Sequence, residues 1–353
     1  MVSAHKTVQA QILSLVKFWK ITHEDRIVHV LPLHHIHGIV NALLVLLWSG
    51  GVVEMLPKFD PKAVWNRWLN PKLPQVTLFM CVPTVYARLI AYYDENLTSQ
   101  AKEVAEACQR FRLQICGSAA LPSPIKRKWE TISGGVVLLE RYGMTEIGMA
   151  LSNGYEPEKR IDGSVGWALP GVTVRLITTD AAARDVTNVD SEPGEIQVKG
   201  DNVFLEYWRK PEATKKEFTS DGFFKTGDIA ISNQSHGGAL FIQGRASVDI
   251  IKSGGYKISA LDVERELLSL PVIDECAVVG LEDEEWGQRV AAVVTLANGT
   301  TELKLKDMRN MLRKNMAPYK IPTVLKVVDE IPRNKMGKGT CSLNLRWKLI
   351  VSK

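Results

Sequence analysis

Paired cysteines are absent from this chain of 353 residues. The five cysteines form no Cys-x-x-Cys pair and stand at no Cys/His spacing typical of a zinc site: Cys81, Cys108, Cys116, Cys276 and Cys341. An odd number of cysteines in apolar surroundings indicates reduced structural thiols. The sequence therefore predicts a protein of a reducing compartment, without a disulfide framework or a cysteine-based metal site.

Long hydrophobic runs are absent as well. A membrane-spanning helix needs about 20 consecutive apolar residues. The most apolar stretch, residues 36–55, is interrupted by His37, Asn41 and Glu54. Residues 1–6 show no basic region followed by an apolar core, so we expect neither a membrane span nor a signal peptide.

The chain also lacks a large excess of positive or negative charge. The net charge is only +5, spread along a chain with 45% hydrophobic and 24% charged residues, which is ordinary for a globular protein. We find no basic arm and no interleaving of basic and aromatic residues, so a nucleic-acid partner is not expected. The length suffices for two domains.

The order of sequence patterns predicts an α/β fold. Helical spacing at 9–18, 61–69 and 101–110 alternates with strand-like runs, which favours a parallel sheet: 26–33, 76–82 and 112–116. The pair Asp60-Pro61, a helix cap followed by proline, predicts the start of the helix at 61–69, and the apolar run 136–139 predicts a strand before the Tyr142 motif. Beyond Gly163, short alternating segments at 172–176 and 194–198 indicate a small antiparallel unit resembling a distorted barrel. From Arg245 onward, alternating helices and strands predict a compact α+β domain. We therefore expect domains at 1–244 and 245–353.

Three short motifs carry chemistry. Thr145 and Glu146, in Tyr142-Gly143-Met144-Thr145-Glu146, suit binding of a phosphate and its Mg²⁺. The alternative is a structural role, in which the same residues form a Gly turn with a helix-capping Thr. Asp228, after Gly227, can accept hydrogen bonds from two ribose hydroxyls, and the alternative is a plain turn residue. Lys338, after Gly337, can meet developing negative charge, whereas most lysines near a C-terminus are simply solvated.

The three motifs in this order resemble those of the adenylate-forming superfamily of acyl-CoA synthetases, and residues 139–146 look most like the malonyl-CoA synthetase branch. The resemblance implies a large α/β domain with a β-barrel-like subdomain and a small mobile C-terminal domain. It also implies ATP, Mg²⁺ and coenzyme A as ligands. Malonate and ATP would give malonyl-AMP and pyrophosphate, and the CoA thiol would then displace AMP.

The resemblance also implies roles for individual residues. Lys338, Thr145 and Glu146 would serve catalysis, with Glu146 on the metal. Nucleotide and CoA contacts would come from a larger set: Gly117, Ser118, Tyr142, Gly143, Asp228, Arg245, Gly254 and Gly255. Arg141 and His37, assisted by Ser118, match the positions that hold the distal carboxylate of malonate, although a lone His is more often a core residue. Residues 194–200 with Tyr207 and Trp208 resemble structural segments, to which we assign no chemistry.

The phosphate-binding loop of the family, which ends in Pro-Lys-Gly, is not found. Residues 3–6 resemble those that directly follow it, so we expect a chain that lacks the family's N-terminal portion and has impaired activity. Two alternatives remain open. One is a synthetase for a fatty or aromatic acid, and the other is an inactive fragment that binds nucleotide or a partner. We expect small-molecule partners and an intracellular location, cytoplasmic or mitochondrial, with any targeting segment in the missing portion.

Overall fold

The structure is a computed structural model that describes residues 1–247, 249–297 and 299–331. The chain divides into two compact units. The first comprises residues 1–121, 125–226 and 230–242, and the second comprises 122–124, 227–229 and the residues from Gln243 onward. Each unit is described by itself.

The first unit is built on a seven-stranded sheet in the order β2-β1-β3-β4-β5-β6-β7. Its strands are β1 (Arg26–His29), β2 (Val52–Met55), β3 (Leu78–Cys81), β4 (Leu113–Gly117), β5 (Leu139–Met144), β6 (Gly148–Ser152) and β7 (Trp167–Ala168). The first five strands in this order, β2-β1-β3-β4-β5, pair in parallel, whereas the β5–β6 and β6–β7 pairs are antiparallel. The carboxyl ends of the parallel strands therefore share one edge of the sheet, the edge at which α/β folds bind ligands.

Helices cover both faces of this sheet. They are α1 (His5–Phe18), α2 (Val45–Trp48), α3 (Pro61–Leu69), α4 (Pro83–Asn96), α5 (Ala101–Gln109) and α6 (Ser123–Ile132), with a π-helical segment at His37–Leu44. Phe79 and Cys81 of β3 pack into the core with α3 to α6, while Leu78 and Met80 pack on the opposite face with α1 and the π-helical segment. This alternation follows from the period of two along a strand.

A second sheet in the first part of the chain has the order β11-β10-β9-β8. Its strands are β8 (Val172–Ile177), β9 (Gly194–Gly200), β10 (Phe224–Asn233) and β11 (Ala239–Arg245), and a short helix α7 (Pro211–Glu217) lies between β9 and β10. Its core contains Leu176, Ile196, Val198 and Phe224.

Within the described residues, the second unit is a smaller sheet with two helices. Its elements are β12 (Ile250–Ser253), β13 (Tyr256–Ser259), α8 (Ala260–Leu268), β14 (Ile273–Asp283), β15 (Gly287–Leu296), α9 (Leu305–Leu312) and β16 (Val324–Val327). The strands run in the order β13-β12-β15-β14, and β16 pairs with β15. The predicted α/β class with a smaller C-terminal sheet domain is confirmed.

The structure confirms one predicted helix start and corrects other predicted boundaries. The N-cap of α3 is confirmed, since the Asp60 carboxylate accepts from Lys62 N at 3.0 Å. The run at 26–33 forms a strand only to His29, and Pro83 begins α4, a helix that the patterns missed. The Tyr142 motif was expected to follow a strand at 136–139, but β5 begins at Leu139 and contains Tyr142 and Gly143. No helix follows, so Thr145 does not act as a helix cap.

Candidate active site

Arg141 lies on β5 directly beside β4. Its parallel partner in the register is Gly117, the last residue of β4, and Ser118 follows at the carboxyl edge. The Arg141 side chain is only 4% exposed. Its Nη2 donates to Ser118 Oγ at 3.2 Å, and that hydroxyl lies 3.4 Å from His37 Nδ1. The three residues predicted to hold a distal carboxylate therefore form one connected group.

The Arg141 guanidinium carries a buried charge. Within the described ranges, no carboxylate forms an ion pair with it, and its Nε has no hydrogen-bond partner. Burial lowers the pKa of Arg141 to about 10, because desolvation disfavours the charged form. A buried cation without a counter-charge is costly. An anion that enters here would supply the missing partner, and a carboxylate matches the guanidinium in shape.

His37 is buried and neutral near pH 7. Burial, followed by the charges of Arg141 and His29, holds its pKa well below the usual range. With the imidazole proton on Nε2, Ser118 can donate to Nδ1 while it accepts from Arg141. Nε2 has no partner among the described residues, so it would then offer a second donor beside the guanidinium.

Two features of this group were not predicted from the sequence. A Cβ on Gly117 would lie 2.7 Å from Arg141 Cζ, so only glycine lets the guanidinium lie against β4. Ser118 has a φ of +69°, a left-handed conformation that non-glycine residues adopt mainly where the surroundings enforce it.

His29 was missed altogether. Its Nε2 and Gly38 O are 3.0 Å apart, and Leu31 N donates to its Nδ1 at 3.1 Å. Both ring nitrogens are thus used to fix the start of the segment that carries His37. No pattern in the sequence distinguished His29 from the other histidines nearby.

Thr145 and Glu146 form the tight turn between β5 and β6. Ile147 N donates to Met144 O at 3.2 Å, and the strands shift register between Tyr142 and Gly143. Thr145 is exposed, and Glu146 is half-buried. Its Oε1 accepts from the Tyr207 hydroxyl at 3.1 Å.

The turn fits a Mg²⁺ ion that is shared with a nucleotide. Mg²⁺ is usually bound by one or two carboxylates together with substrate phosphates. Glu146 offers one such carboxylate, and the described part of the chain has no group of three or more metal-ligating side chains that would form an all-protein cage.

In the second unit, Asp228 and Arg245 form an ion pair. Arg245 Nε donates to Asp228 Oδ1 at 3.0 Å, and Asp228 is 8% exposed. The Asp249 carboxylate accepts from Arg245 N at 2.9 Å, which fixes the end of β11. The pair gives an oriented carboxylate, suited to accepting hydrogen bonds from hydroxyl groups.

Gly254 and Gly255 form the two-residue turn between β12 and β13. Both have positive φ, +55° and +83°, as the favoured hairpin turn requires. Lys338 and Cys341 lie outside the described residues. None of the described helices has the length and hydropathy needed to cross a membrane.

Comparison with known proteins gives a consistent result. The model of the AMP-binding enzyme family matches residues 1–208, and that of its C-terminal domain matches residues 262–338. The mitochondrial malonate–CoA ligase of Mus musculus is 48% identical over 95% of this chain and 60% of its own length. ATP-bound MatB from Rhodopseudomonas palustris superposes with a TM-score of 0.86 at 35% identity, over 99% of this chain and 65% of that one.

A malonyl-CoA ligase with methylmalonyl-CoA and AMP bound is 36% identical, with a TM-score of 0.61 over 94% of this chain and 68% of that one. The chain thus spans about 60% of the length of the curated relative from Mus musculus. The predicted family is confirmed: this chain belongs to the AMP-binding enzyme family.

Proposed function

We propose that this chain carries the malonate-activating site of an ATP-dependent acid–CoA ligase. In the first step a malonate carboxylate attacks the α-phosphate of ATP, giving malonyl-AMP and pyrophosphate. In the second step the CoA thiol attacks the acyl carbon, giving malonyl-CoA and AMP. The functions of the relatives, which include malonate–CoA ligases, support this proposal. Because the chain spans only part of their length, the activity of the whole protein remains a proposal.

The observation that carries the choice of acid is the buried Arg141 guanidinium without a carboxylate partner in the described residues. A fatty or aromatic acid would leave this buried charge unpaired, which is unfavourable. The distal carboxylate of malonate would pair with Arg141 and accept from His37 Nε2. Ser118 would hold the two groups in register.

The remaining residues receive roles within the same proposal. Thr145 would donate to a phosphate, and Glu146 would hold Mg²⁺, which neutralises phosphate charge when bound. Tyr142, Gly143 and Gly117 would contact the nucleotide through backbone that approaches it closely.

Five further residues complete the proposal. Asp228, oriented by Arg245, would accept from the ribose hydroxyls, and the Gly254–Gly255 turn would leave room for the pantetheine arm of CoA. Lys338 would stabilise the charge that develops during adenylation. Its place lies outside the described residues.

The test is malonate-dependent release of pyrophosphate, compared with release on acetate and on longer acids. Truncating one partner of a buried charged pair typically costs about 2–5 kcal/mol. Arg141→Ala should therefore raise the malonate concentration needed for half-maximal rate at least about tenfold, since 1.4 kcal/mol corresponds to one decade. The exposed Arg127 supplies the matched control, Arg127→Ala.

An unchanged preference for malonate over acetate in Arg141→Ala would remove the substrate assignment. ATP binding by the wild type without any acid-dependent pyrophosphate release would instead favour the inactive nucleotide-binding alternative.

The name of the relative from Mus musculus places that protein in mitochondria. We extend this location to the present protein as part of the proposal. Imaging of the full gene product in its own cells would test it, and a purely cytosolic signal would contradict it.

A further inference from the structure

Residues 202–207 hold the Glu146 turn from outside the motif. Phe204 N donates to Glu146 O at 2.7 Å, and Asn202 Nδ2 donates to Ile147 O at 2.7 Å. Gln11 Nε2 donates in turn to Asn202 O at 3.0 Å. Asn202, Phe204 and Ile147 are all buried, so these bonds are sheltered from water and fix the backbone of the turn.

Tyr207 adds a contact to the side chain itself. Its hydroxyl donates to Glu146 Oε1 at 3.1 Å. Its ring packs on Phe204 with centroids 4.8 Å apart, and its N–H donates to Thr214 Oγ1 at 3.0 Å. The donor is therefore held in place independently of Glu146.

A tyrosine hydroxyl suits this position for a chemical reason. It is neutral, so it orients the carboxylate without competing as a cation for the site where a metal would bind. It engages one oxygen of Glu146, which leaves the other oxygen to act as a ligand. Such outer partners fix the direction of a metal-binding carboxylate, and their loss typically costs about 10–100-fold in metal affinity.

We propose that Tyr207 is a positioning residue that orients the Glu146 carboxylate toward the Mg²⁺ of bound MgATP. This inference rests on the proposed function, in which Glu146 is the metal ligand. It gives a role to a segment whose sequence indicated only structural support.

The experiment measures the ATP dissociation constant by calorimetry, once in EDTA and once in excess Mg²⁺. The dissociation constant in EDTA divided by that in Mg²⁺ is the ratio that reports how strongly the metal contributes to ATP binding. Tyr207→Phe should reduce this ratio about tenfold and leave the constant in EDTA unchanged, because the ring remains and only the hydroxyl is lost. Glu146→Gln should reduce the ratio at least as much, and the double variant should match Glu146→Gln alone.

Tyr155→Phe is the control, since the Tyr155 hydroxyl also makes a hydrogen bond outside the Glu146 turn, accepting from Arg112 Nη1 at 3.1 Å. A ratio unchanged by Tyr207→Phe, or equal weakening with and without Mg²⁺, would overturn the positioning role. A wild-type protein that binds ATP equally with and without Mg²⁺ would overturn the metal assignment of Glu146, and this inference with it. Thermal unfolding of each variant checks that the fold is retained.

Discussion

At the scale of single residues, the place of the Arg141 side chain depends on Gly117, a residue without a side chain. The Arg141 guanidinium lies against Gly117, where a Cβ would stand 2.8 Å from Arg141 Nε. Gly117→Ala should therefore displace Arg141 from Ser118 and lower the preference for malonate by about tenfold or more. The malonate-to-acetate ratio of pyrophosphate release measures this.

Gly135→Ala is a control at a glycine where an added Cβ meets no atom within 4 Å, although its φ of +98° also strains an alanine. If Gly117→Ala kept the wild-type preference while Gly135→Ala behaved normally, the packing of Arg141 on Gly117 would not matter for recognition.

The sequence allowed us to predict which residues form the candidate site, but not their conformations or their hydrogen bonds. Resemblance pointed to Arg141, His37 and Ser118, and the structure brings them together. The positive φ of Ser118 and the two hydrogen bonds of His29 could not be predicted, because both depend on how β4, β5 and the His37 segment pack. Such contacts between distant parts of the chain leave no periodic signal in the sequence.

At the scale of elements, helix α8 is tied to strand β14 by a titrating side chain. Glu264 Oε1 accepts from Val278 N at 2.9 Å, and the Cys276 thiol donates to Glu264 O at 3.5 Å. Burial, together with the Asp249 charge, raises the pKa of Glu264 from 4.5 to about 7. The folded protein therefore keeps a proton that the unfolded chain loses above about pH 4.5.

The sign of the pH dependence follows from linkage. Since the native state binds more protons, the free energy of unfolding falls as pH rises from about 4.5 to about 7 and stays low above that. Glu264→Gln keeps an acceptor but cannot ionise. Relative to wild type, the free energy of unfolding of Glu264→Gln should therefore rise by about 1–2 kcal/mol between pH 5 and pH 8. The effect is this small because solvent screens part of it at this half-buried group.

Urea unfolding at the two pH values measures this change. The same difference between variant and wild type at pH 5 and pH 8 would show that Glu264 is ionised in the folded protein throughout.

Element types were easier to predict than element limits. The helix at Pro61–Leu69 was predicted with its cap, because Asp60 and Pro61 act locally. The limits of β5 were predicted wrongly, because the strand continues through Glu140 and Arg141, polar residues that a hydrophobic run excludes. Their place in the strand comes from pairing with β4 and β6, a tertiary effect.

At the scale of the whole molecule, the domain boundary between Gly244 and Arg245 stays a prediction. The second compact unit runs onward from Gln243, but it also contains residues 122–124 and 227–229. The order of the motifs along the chain allowed the family to be predicted. The expected impairment of activity remains a prediction.

The central claim is that Arg141 recognises the second carboxylate of the acid. Its most direct test is calorimetric binding of two non-hydrolysable sulfamoyl adenosine mimics, one of malonyl-AMP and one of acetyl-AMP, which requires no turnover. The malonyl mimic should bind at least about tenfold tighter than the acetyl mimic, and Arg141→Ala should remove this advantage. Equal affinity of the wild type for the two mimics, or an advantage that survives in Arg141→Ala, would contradict the account.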